Sequence, residues 1–285
     1  MEIPMFAVLD VVSPALVSLS SGDLVWLALA LLAAGVVAGV LAGMLGLGGG
    51  GILVPVLYET FGLLGVDDSI RMHVALGTSL AVIVPTSLRS FAAHRARGTV
   101  DMSLLGQMAP FVVFGVLVGA VIAKVASSEA LRIIWVICAV FLSLKLALGR
   151  DDWRLADTLP SQISVRVFAT ILGTLSTLMG IGGGLFMVSF MTLYNRTLLQ
   201  AVSTSSGLGP LISIPGVLGF MWAGWGASGL PVGSLGFVSF LGAAVILPAS
   251  LLAAPLGVRL AHGINKRSLE LVFATFLAIV SVRFV

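Results

Sequence analysis

Charged residues are scarce in this chain of 285 residues: Asp, Glu, Lys and Arg together make up 9% of it, whereas 59% is hydrophobic. Soluble globular domains carry about 25% charged residues, so a chain with so few charges cannot cover a surface that faces water. The longest apolar runs, such as 24–45 and 198–256, contain no charged residue. Because a bilayer-spanning helix needs about 20 apolar residues, the composition excludes a soluble protein and predicts transmembrane helices.

Other patterns are also missing, and each absence narrows the fold or the function. The sequence lacks the segments of about 10 residues with alternating polarity that a transmembrane β-barrel requires, so we predict an all-α integral membrane protein. One cysteine and three histidines are scattered along the chain, and we expect no metal and no cofactor. Nucleotide-binding, hydrolase and metalloprotease motifs are absent, so we expect a protein that is not an enzyme. The excess of positive charge is expected in cytoplasmic loops and does not indicate nucleic-acid binding.

The sequence does contain an internal repeat, which glycine marks. The segment GLGGGGILVP at 46–55 matches GIGGGLFMVS at 180–189, with five identical positions 134 residues apart. A Thr-Ser pair follows each segment, at 78–79 and 204–205. We therefore predict an N-terminal lead-in at 1–23, a first transmembrane repeat at 24–148, a cytoplasmic linker at 149–162 and a second transmembrane repeat at 163–285.

The distribution of basic residues predicts how the repeats face the membrane, because Lys and Arg gather on the cytoplasmic side. If both glycine-rich segments belonged to full crossings, eight of the 15 basic residues would lie on one side of the membrane and seven on the other. If the chain instead turns back at the glycines, eleven of them lie on the same side. The second arrangement inverts the second repeat relative to the first and puts both termini outside. We predict about eight full transmembrane helices plus two re-entrant or broken segments, 52–64 and 185–194, although their full crossing stays open. Such repeats are typical of secondary transporters in cell membranes.

The two glycine-rich breaks form the candidate substrate site. A glycine disfavours a helix by about 1 kcal/mol relative to alanine, so the chain should unwind or turn there and face the protein interior. Helices that begin at Ile52 and Leu185 would point their free N–H groups and positive dipole ends at the breaks, which suits an anion. The predicted substrate-binding glycines are Gly46, Gly48, Gly49, Gly50 and Gly51 in the first repeat and Gly180, Gly182, Gly183 and Gly184 in the second.

Polar side chains near the breaks extend this candidate site. Thr78, Ser79, Thr204 and Ser205 could offer hydroxyls to a substrate, and the alternative is that each bonds to a carbonyl one turn earlier in its own helix. His73 begins an apolar run and is a possible proton-coupling residue, with an interfacial side chain as the alternative.

Glycine also recurs at a spacing of four residues, at Gly35, Gly39 and Gly43 and again at Gly115 and Gly119. Small residues at this spacing let transmembrane helices approach closely. We therefore predict helix contacts at these positions rather than a binding site.

Taken together, these segments resemble the TauE/SafE sulfite exporter family of membrane permeases. The resemblance is carried by GLGGG at 46–50 with Pro55, by HVALGTSL at 73–80, by AHRARGTVD at 93–101 and by GIGGG at 180–184. It covers essentially the whole chain after residue 24, but the second repeat has an uncharged turn where the first has the basic loop. The resemblance implies a permease that moves small sulfur-containing anions, such as sulfite or organosulfonates, across the cytoplasmic membrane.

We therefore expect a secondary transporter that works by alternating access, with the two repeats rocking about the glycine breaks. Its partners would be the small anionic substrate and the lipid bilayer, and no nucleic acid. A transporter of another small anion or solute, an intramembrane enzyme and an anchor subunit stay open as alternatives. The sequence does not name the anion, the direction of transport, the coupling ion or the oligomeric state.

Overall fold

A computed structural model describes residues 29, 31–33, 35–40, 50–149, 155–261 and 266–284 of the chain. Helical segments lie at 31–33 and 35–40. The helices that follow are α1 (Gly50–Leu63), α2 (Asp68–Ala96), α3 (Met102–Val125), α4 (Ser128–Leu148), α5 (Gln162–Met179), α6 (Gly184–Leu193), α7 (Leu198–Ala223), α8 (Phe240–Ala261) and α9 (Lys266–Phe284). Two short strands, β1 (Ser234–Leu235) and β2 (Val238–Ser239), precede α8.

Polar side chains set the starts of several helices, because the first N–H groups of a helix lack intrahelical partners. Asp101 accepts a hydrogen bond from the Leu104 amide at 3.0 Å and begins α3. Asp67 accepts one from the Ser69 amide at 2.8 Å before α2, and hydrogen bonding by the Ser69 side chain and then by its amide lowers the pKa of the Asp67 carboxyl group. These starts lie within a few residues of the predicted apolar runs.

The largest departure from the predicted apolar runs precedes α8. The sequence predicts one apolar run over 231–258, but α8 begins only at Phe240. The preceding residues form a loop with a two-stranded antiparallel hairpin, in which Ser234 pairs with Ser239. Gly233 and Gly236 adopt positive φ angles of 74° and 55°, which glycine tolerates far better than other residues. The chain therefore turns where hydrophobicity alone predicts a helix.

The outer surface of the described helices is apolar. Phe114, Leu117 and Val121 on α3 are each more than half exposed, and such faces indicate contact with lipid. Among the described residues, six helices are long and apolar enough to cross a membrane, namely α2, α3, α4, α5, α7 and α8. The protein is therefore an all-α, multi-pass membrane protein, as predicted, whereas the count of eight crossings stays a prediction.

Helices α5 and α6 form a hairpin around the second glycine break. The Leu155 amide, in the linker before α5, donates to the Leu193 carbonyl at the end of α6, at 2.8 Å. The rings of Phe168 on α5 and Phe190 on α6 stack with their centroids 4.1 Å apart. At ~1.5 Å per residue, α6 is about 15 Å long, half of a hydrocarbon core of about 30 Å. The chain thus turns back at this break and returns to the linker.

Helices α2 and α7 form an antiparallel pair at the centre of the molecule. Near one end of the pair, His94 of α2 hydrogen-bonds Ser203 of α7 with 3.1 Å between Nδ1 and Oγ. Near the other end, Gly77 of α2 lies so close to α7 that an added Cβ would be 3.0 Å from the Phe220 Cβ. The second glycine break lies against this pair.

Helices α3 and α5 pack almost backbone to backbone. A Cβ on Gly115 would lie 2.1 Å from the Thr170 carbonyl oxygen, and a Cβ on Gly173 would lie 2.3 Å from that of Val112. The Thr174 hydroxyl also donates to the Gly115 carbonyl at 2.9 Å. Because the helix contacts at Gly115 and Gly173 leave room only for a hydrogen atom in place of a side chain, glycine is required at both positions.

The helical segment at 35–40 packs on α8 in the same way. A Cβ on Gly35 would lie 2.7 Å from the Ile246 carbonyl oxygen, and a Cβ on Gly39 would lie 2.3 Å from that of Ser250. The predicted close helix contacts are therefore confirmed for Gly35 and Gly39, and also for Gly115. They are confirmed for Gly119 as well, because a Cβ on Gly119 would lie 2.9 Å from a side-chain atom of Thr177. Gly43 lies outside the described residues.

Replacing Gly115 with alanine should destabilise the protein. The added methyl group would overlap the Thr170 carbonyl and force α3 and α5 apart, so we expect a loss of about 1–3 kcal/mol in the free energy of unfolding. Gly106→Ala is the matched control, because no atom lies within 4 Å of a Cβ at that position. Thermal unfolding of both variants in detergent tests the expectation, and equal midpoints would contradict it.

Candidate functional site

The second glycine break lies in the interior, between four helices. Every residue from Gly180 to Gly184 is buried. The contacts of an added Cβ place Gly180 beside Val54 of α1 and Leu76 of α2, Gly182 beside Ile83 of α2 and Gly209 of α7, and Gly183 beside Leu172 of α5 and Ile212 of α7. The break is therefore closed off on all these sides in this structure.

The turn itself depends on two glycines with left-handed backbone conformations. Gly180 has φ 63° and Gly183 has φ 71°, a region that disfavours residues with a Cβ. The Gly180 amide donates to the Thr177 carbonyl at 3.1 Å, and the Ile181 amide donates to the Ser176 carbonyl at 3.0 Å. This pair of bonds is a Schellman motif, which satisfies the last carbonyl groups of α5.

The N-terminus of α6 lies at the break. Gly183 precedes the helix, and no side chain among the described residues caps it. The Met187 amide donates to the Gly183 carbonyl at 3.1 Å, and the amides before it are those that a helix leaves without an intrahelical partner. Together they carry a partial positive charge of about +0.5. Residues 167–195 contain no Asp, Glu, Lys or Arg, so this part of the chain offers partial rather than full positive charge at the break.

Ser79 is the predicted hydroxyl that the structure brings to the second break. Its Oγ donates to the Gly180 carbonyl at 2.7 Å, and its side chain is fully buried. The bond joins α2 to the end of α5 and satisfies a carbonyl group that the turn has removed from the helical ladder. Ser79 therefore holds the turn through its backbone.

The other predicted hydroxyls bond elsewhere. The Thr78 Oγ1 accepts from the Ser239 amide before α8, at 3.0 Å, and the Thr204 Oγ1 accepts from the Asp101 amide before α3, also at 3.0 Å. Ser205 donates to the Val202 carbonyl of its own helix at 2.8 Å, which is the alternative interpretation for such residues. Direct substrate binding by these three hydroxyls stays a prediction.

The glycines of the first break are only partly described. Gly46, Gly48 and Gly49 lie outside the described residues. Gly50 and Gly51 belong to the first turn of α1, so this helix begins two residues before the predicted Ile52. In the second repeat, Gly184 is likewise the first residue of α6. The expectation that Gly50 and Gly51 are unwound is therefore wrong, because the apolar helix that continues through Pro55 already includes both glycines.

His73 is buried within the protein. It is 4% exposed, and its Nε2–H donates to the carbonyl groups of Ala123 at 2.9 Å and Ala126 at 3.2 Å, at the end of α3. Its ring lies 4.6 Å from the Phe237 ring. The end of α3 and the hairpin before α8 cover this part of α2, and a position at the membrane interface stays a prediction. A role in proton coupling stays a prediction.

Ser176 is a site residue that the sequence analysis did not select. Its side chain is fully buried, and its Oγ has no hydrogen-bond partner among the described residues. The Oγ lies 3.2 Å from where a Cβ on Gly183 would be. The only sequence signal was a serine one turn before the glycines. Among the described residues, no cluster of His, Cys, Asp and Glu could hold a metal ion.

Replacing Ser79 with alanine should destabilise the turn. The Gly180 carbonyl would stay buried without its donor, so we expect a loss of about 1–3 kcal/mol in the free energy of unfolding. Ser205→Ala is the matched control, because the Ser205 hydroxyl bonds only within α7. Thermal unfolding of the purified variants would show a lower midpoint for Ser79→Ala alone, whereas equal midpoints would refute a role for this bond.

Comparison with known proteins places the chain in a family. The family model described as Sulfite exporter TauE/SafE matches residues 31–284. A probable membrane transporter protein of Haemophilus influenzae is 30% identical over 248 residues, which cover 87% of this chain and 94% of the relative.

More distant relatives carry the same kind of name. A probable membrane transporter protein of Methanocaldococcus jannaschii is 24% identical, with 87% of this chain and 92% of the relative covered. The probable membrane transporter protein YunE of Bacillus subtilis is 27% identical, with 86% and 93% covered. No solved structure matches the chain. The chain therefore belongs to the TauE/SafE sulfite exporter family and is a multi-pass membrane transporter of that type.

Proposed function

We propose that the protein is a secondary transporter that moves small sulfur-containing anions, of the sulfite or organosulfonate class, across the cytoplasmic membrane. The main observation in support of the proposal is that the break at Gly180–Gly184 is buried, so that α6 begins inside the protein. A helix N-terminus binds anions through its free amides and its dipole. The family match supports the sulfur-containing class.

The character of the site suits a substrate that must be released. A buried fixed cation would hold an anion tightly and would itself be expensive to bury. The α6 terminus instead offers only partial charges, and residues 167–195 and 197–258 contain no charged side chain. We infer weak, reversible binding, which a transport cycle requires.

Reciprocal contacts support an inverted repeat. With the repeats aligned, α2 corresponds to α7 and α3 corresponds to α8. Thr78 of α2 accepts from the Ser239 amide just before α8, and Thr204 of α7 accepts from the Asp101 amide just before α3. Each threonine thus bonds to the start of the fourth helix of the other repeat. Two repeats of inverted orientation, at 24–148 and 163–285, would produce this exchange.

The glycine-rich helix crossings support the same relation. The first helix of the second repeat, α5, packs on α3 of the first repeat through Gly115 and Gly173. The helical segment at 35–40, in the first repeat, packs on α8 of the second repeat through Gly39. Each repeat therefore packs its first helix on the fourth helix of its partner. With eleven of the 15 basic residues on one side, the linker at 149–162 would be cytoplasmic.

The two threonine contacts also support alternating access. Thr78 follows Gly77, which packs on Phe220 near the end of α7, and Thr204 follows Ser203, which bonds to His94 near the end of α2. The two threonines therefore lie towards opposite ends of the antiparallel pair, and so towards opposite faces of the membrane. In this structure both bonds are formed and the break between them is buried. We infer that breaking one bond while keeping the other would open the site to one side at a time.

A transporter of another small anion or solute is the principal alternative, and an intramembrane enzyme or an anchor subunit is less favoured. An enzyme would need titratable side chains at the break, whereas the described residues that contact the break are glycine, serine and aliphatic residues. An anchor subunit would need no buried helix terminus. Flux through the purified protein separates transporters from both other classes, and an anion panel separates the substrates.

Adding a methyl group at the break should reduce flux without unfolding the protein. Gly182 is the suitable position, because its added Cβ would lie 3.4 Å from an Ile83 side-chain carbon and 3.6 Å from the Gly209 Cα. We expect Gly182→Ala to transport sulfite and methanesulfonate at less than about a tenth of the wild-type rate in proteoliposomes, since a displacement of about 1 Å in an enzyme site can already lower the rate by about 100-fold.

Gly106→Ala, at an open position on α3, is the control and should transport normally. Wild-type flux in folded Gly182→Ala protein would place the site elsewhere. If folded wild-type protein moves none of the tested anions, the sulfur-anion function is wrong.

The two threonines should control access from opposite sides. Thr204→Val removes the acceptor of the Asp101 amide and should weaken that closure by about 1 kcal/mol, and Thr78→Val should do the same at Ser239. A cysteine introduced as Ser213→Cys, in a Cys138→Ala background, reports access because Ser213 is fully buried on α7.

We expect an impermeant maleimide to label this cysteine faster from one side in Thr204→Val and faster from the other side in Thr78→Val. The parent protein with both threonines is the control. Faster labelling from the same side in both variants would contradict alternating closure.

A further inference from the structure

The Ser176 hydroxyl is one of three buried serine hydroxyls, together with those of Ser213 and Ser234, that have no hydrogen-bond partner among the described residues. Most other buried hydroxyls have a partner. The neighbouring Thr177 donates to the Gly173 carbonyl at 2.8 Å, and Ser281 on α9 donates to the Leu277 carbonyl at 2.7 Å. The Ser176 side chain is fully buried, yet its Oγ has no partner among the described residues. Burying a hydroxyl without a hydrogen bond is unfavourable, and unsatisfied buried groups are uncommon in native proteins.

The position of Ser176 indicates what its hydroxyl could bind. Its Oγ lies 3.2 Å from where a Cβ on Gly183 would be, and Gly183 is the residue that precedes α6. The hydroxyl therefore lies directly beside the N-terminus of α6. A donor hydroxyl and a set of donor amides at one point form a site for a group with several acceptor oxygens.

We propose that Ser176 and the N-terminus of α6 form a subsite for a singly charged oxyanion, such as an organosulfonate or hydrogen sulfite. This inference deepens the transport function proposed above and rests on it. Ser176 would donate to one oxygen of the anion while the first amides of α6 bind the others. The hydroxyl that is unsatisfied in the closed structure gains its partner when the substrate binds.

The charge of the surroundings selects a monoanion. The α6 terminus contributes about half a positive charge, and segments 72–88, 167–195 and 197–258 contain no Asp, Glu, Lys or Arg. A charged group that touches α6 is the Lys145 ammonium, which donates to Ser189 further along the helix. A dianion such as sulfate would leave more than one charge uncompensated in a buried site, which is strongly unfavourable.

Ligand-induced stabilisation of the purified protein tests both parts of the proposal. Methanesulfonate and sulfate are the probes, because both present oxygens around sulfur but carry one and two charges. A ligand that binds the folded state raises the unfolding midpoint with its concentration. For the wild-type protein, we expect the half-saturating concentration of methanesulfonate to be at least about tenfold below that of sulfate.

Ser176→Ala is the decisive variant. We expect its ligand-free midpoint to equal or exceed that of the wild type, because the substitution removes an unsatisfied buried hydroxyl. Its half-saturating concentration of methanesulfonate should rise about tenfold or more, as for a lost hydrogen bond to a charged group. Ser281→Ala is the matched control, because Ser281 is also buried but bonds within α9. It should keep wild-type binding.

Three outcomes would overturn the subsite: no stabilisation of the wild type by methanesulfonate, equal binding by Ser176→Ala, or sulfate binding as tight as methanesulfonate binding. A lower ligand-free midpoint for Ser176→Ala with unchanged binding would show a structural role instead. Flux of the same anions is measured separately in proteoliposomes, to distinguish binding from transport. Binding that depends on Ser176 without any flux would support the subsite and refute the proposed transport.

Discussion

The structure depends on how a membrane protein satisfies the backbone groups that a broken helix sets free. Inside a bilayer, an N–H or C=O group without a partner is strongly unfavourable, so a turn such as Gly180–Gly183 persists only where other groups bond to it. The Schellman bonds satisfy the end of α5, and Ser79 donates to the Gly180 carbonyl from α2. The carbonyl groups of Ser176, Thr177 and Gly180 are thus satisfied within the protein. We infer that the amides at the start of α6 are available to a ligand, and that this asymmetry makes the break suitable for an anion.

Small residues make the packing around this break possible. Gly209 allows α7 to approach Ser87 of α2, and Gly77 allows α2 to approach the carbonyl of Phe237, each to a distance that a Cβ would prevent. Helix association in lipid relies on close packing and interhelical hydrogen bonds, because lipid tails are as apolar as the helix surfaces. In the proposed transport cycle, the close contacts that stabilise this structure would separate when substrate enters. Reversible contacts between small residues and single hydrogen bonds suit that requirement better than interlocked large side chains.

Local patterns in the sequence predict the helices and the break, because both depend on neighbouring residues. Most helix bounds follow from apolar runs, and the turn at Gly180–Gly183 follows from consecutive glycines. The partners of Thr78, Thr204 and Ser79 could not be predicted, since each lies more than a hundred residues away in the chain. Burial of His73 depends on the end of α3 and on the hairpin before α8, and that hairpin breaks a run that hydrophobicity assigns to a helix. No local sequence pattern identifies Ser176, because the lack of a hydrogen-bond partner for its hydroxyl is evident only in the folded structure.

A structure with a bound ligand would show directly whether a sulfur-containing anion binds at the N-terminus of α6. Crystals of the full chain grown with 2-bromoethanesulfonate would locate the bromine by its anomalous scattering and the sulfonate beside it. We expect sulfonate oxygens within hydrogen-bonding distance of the Ser176 hydroxyl and of the first amides of α6, with α2 or α7 displaced to admit them. A fully occupied sulfonate at another place in the protein, with the break still closed around Gly182, would contradict this binding site.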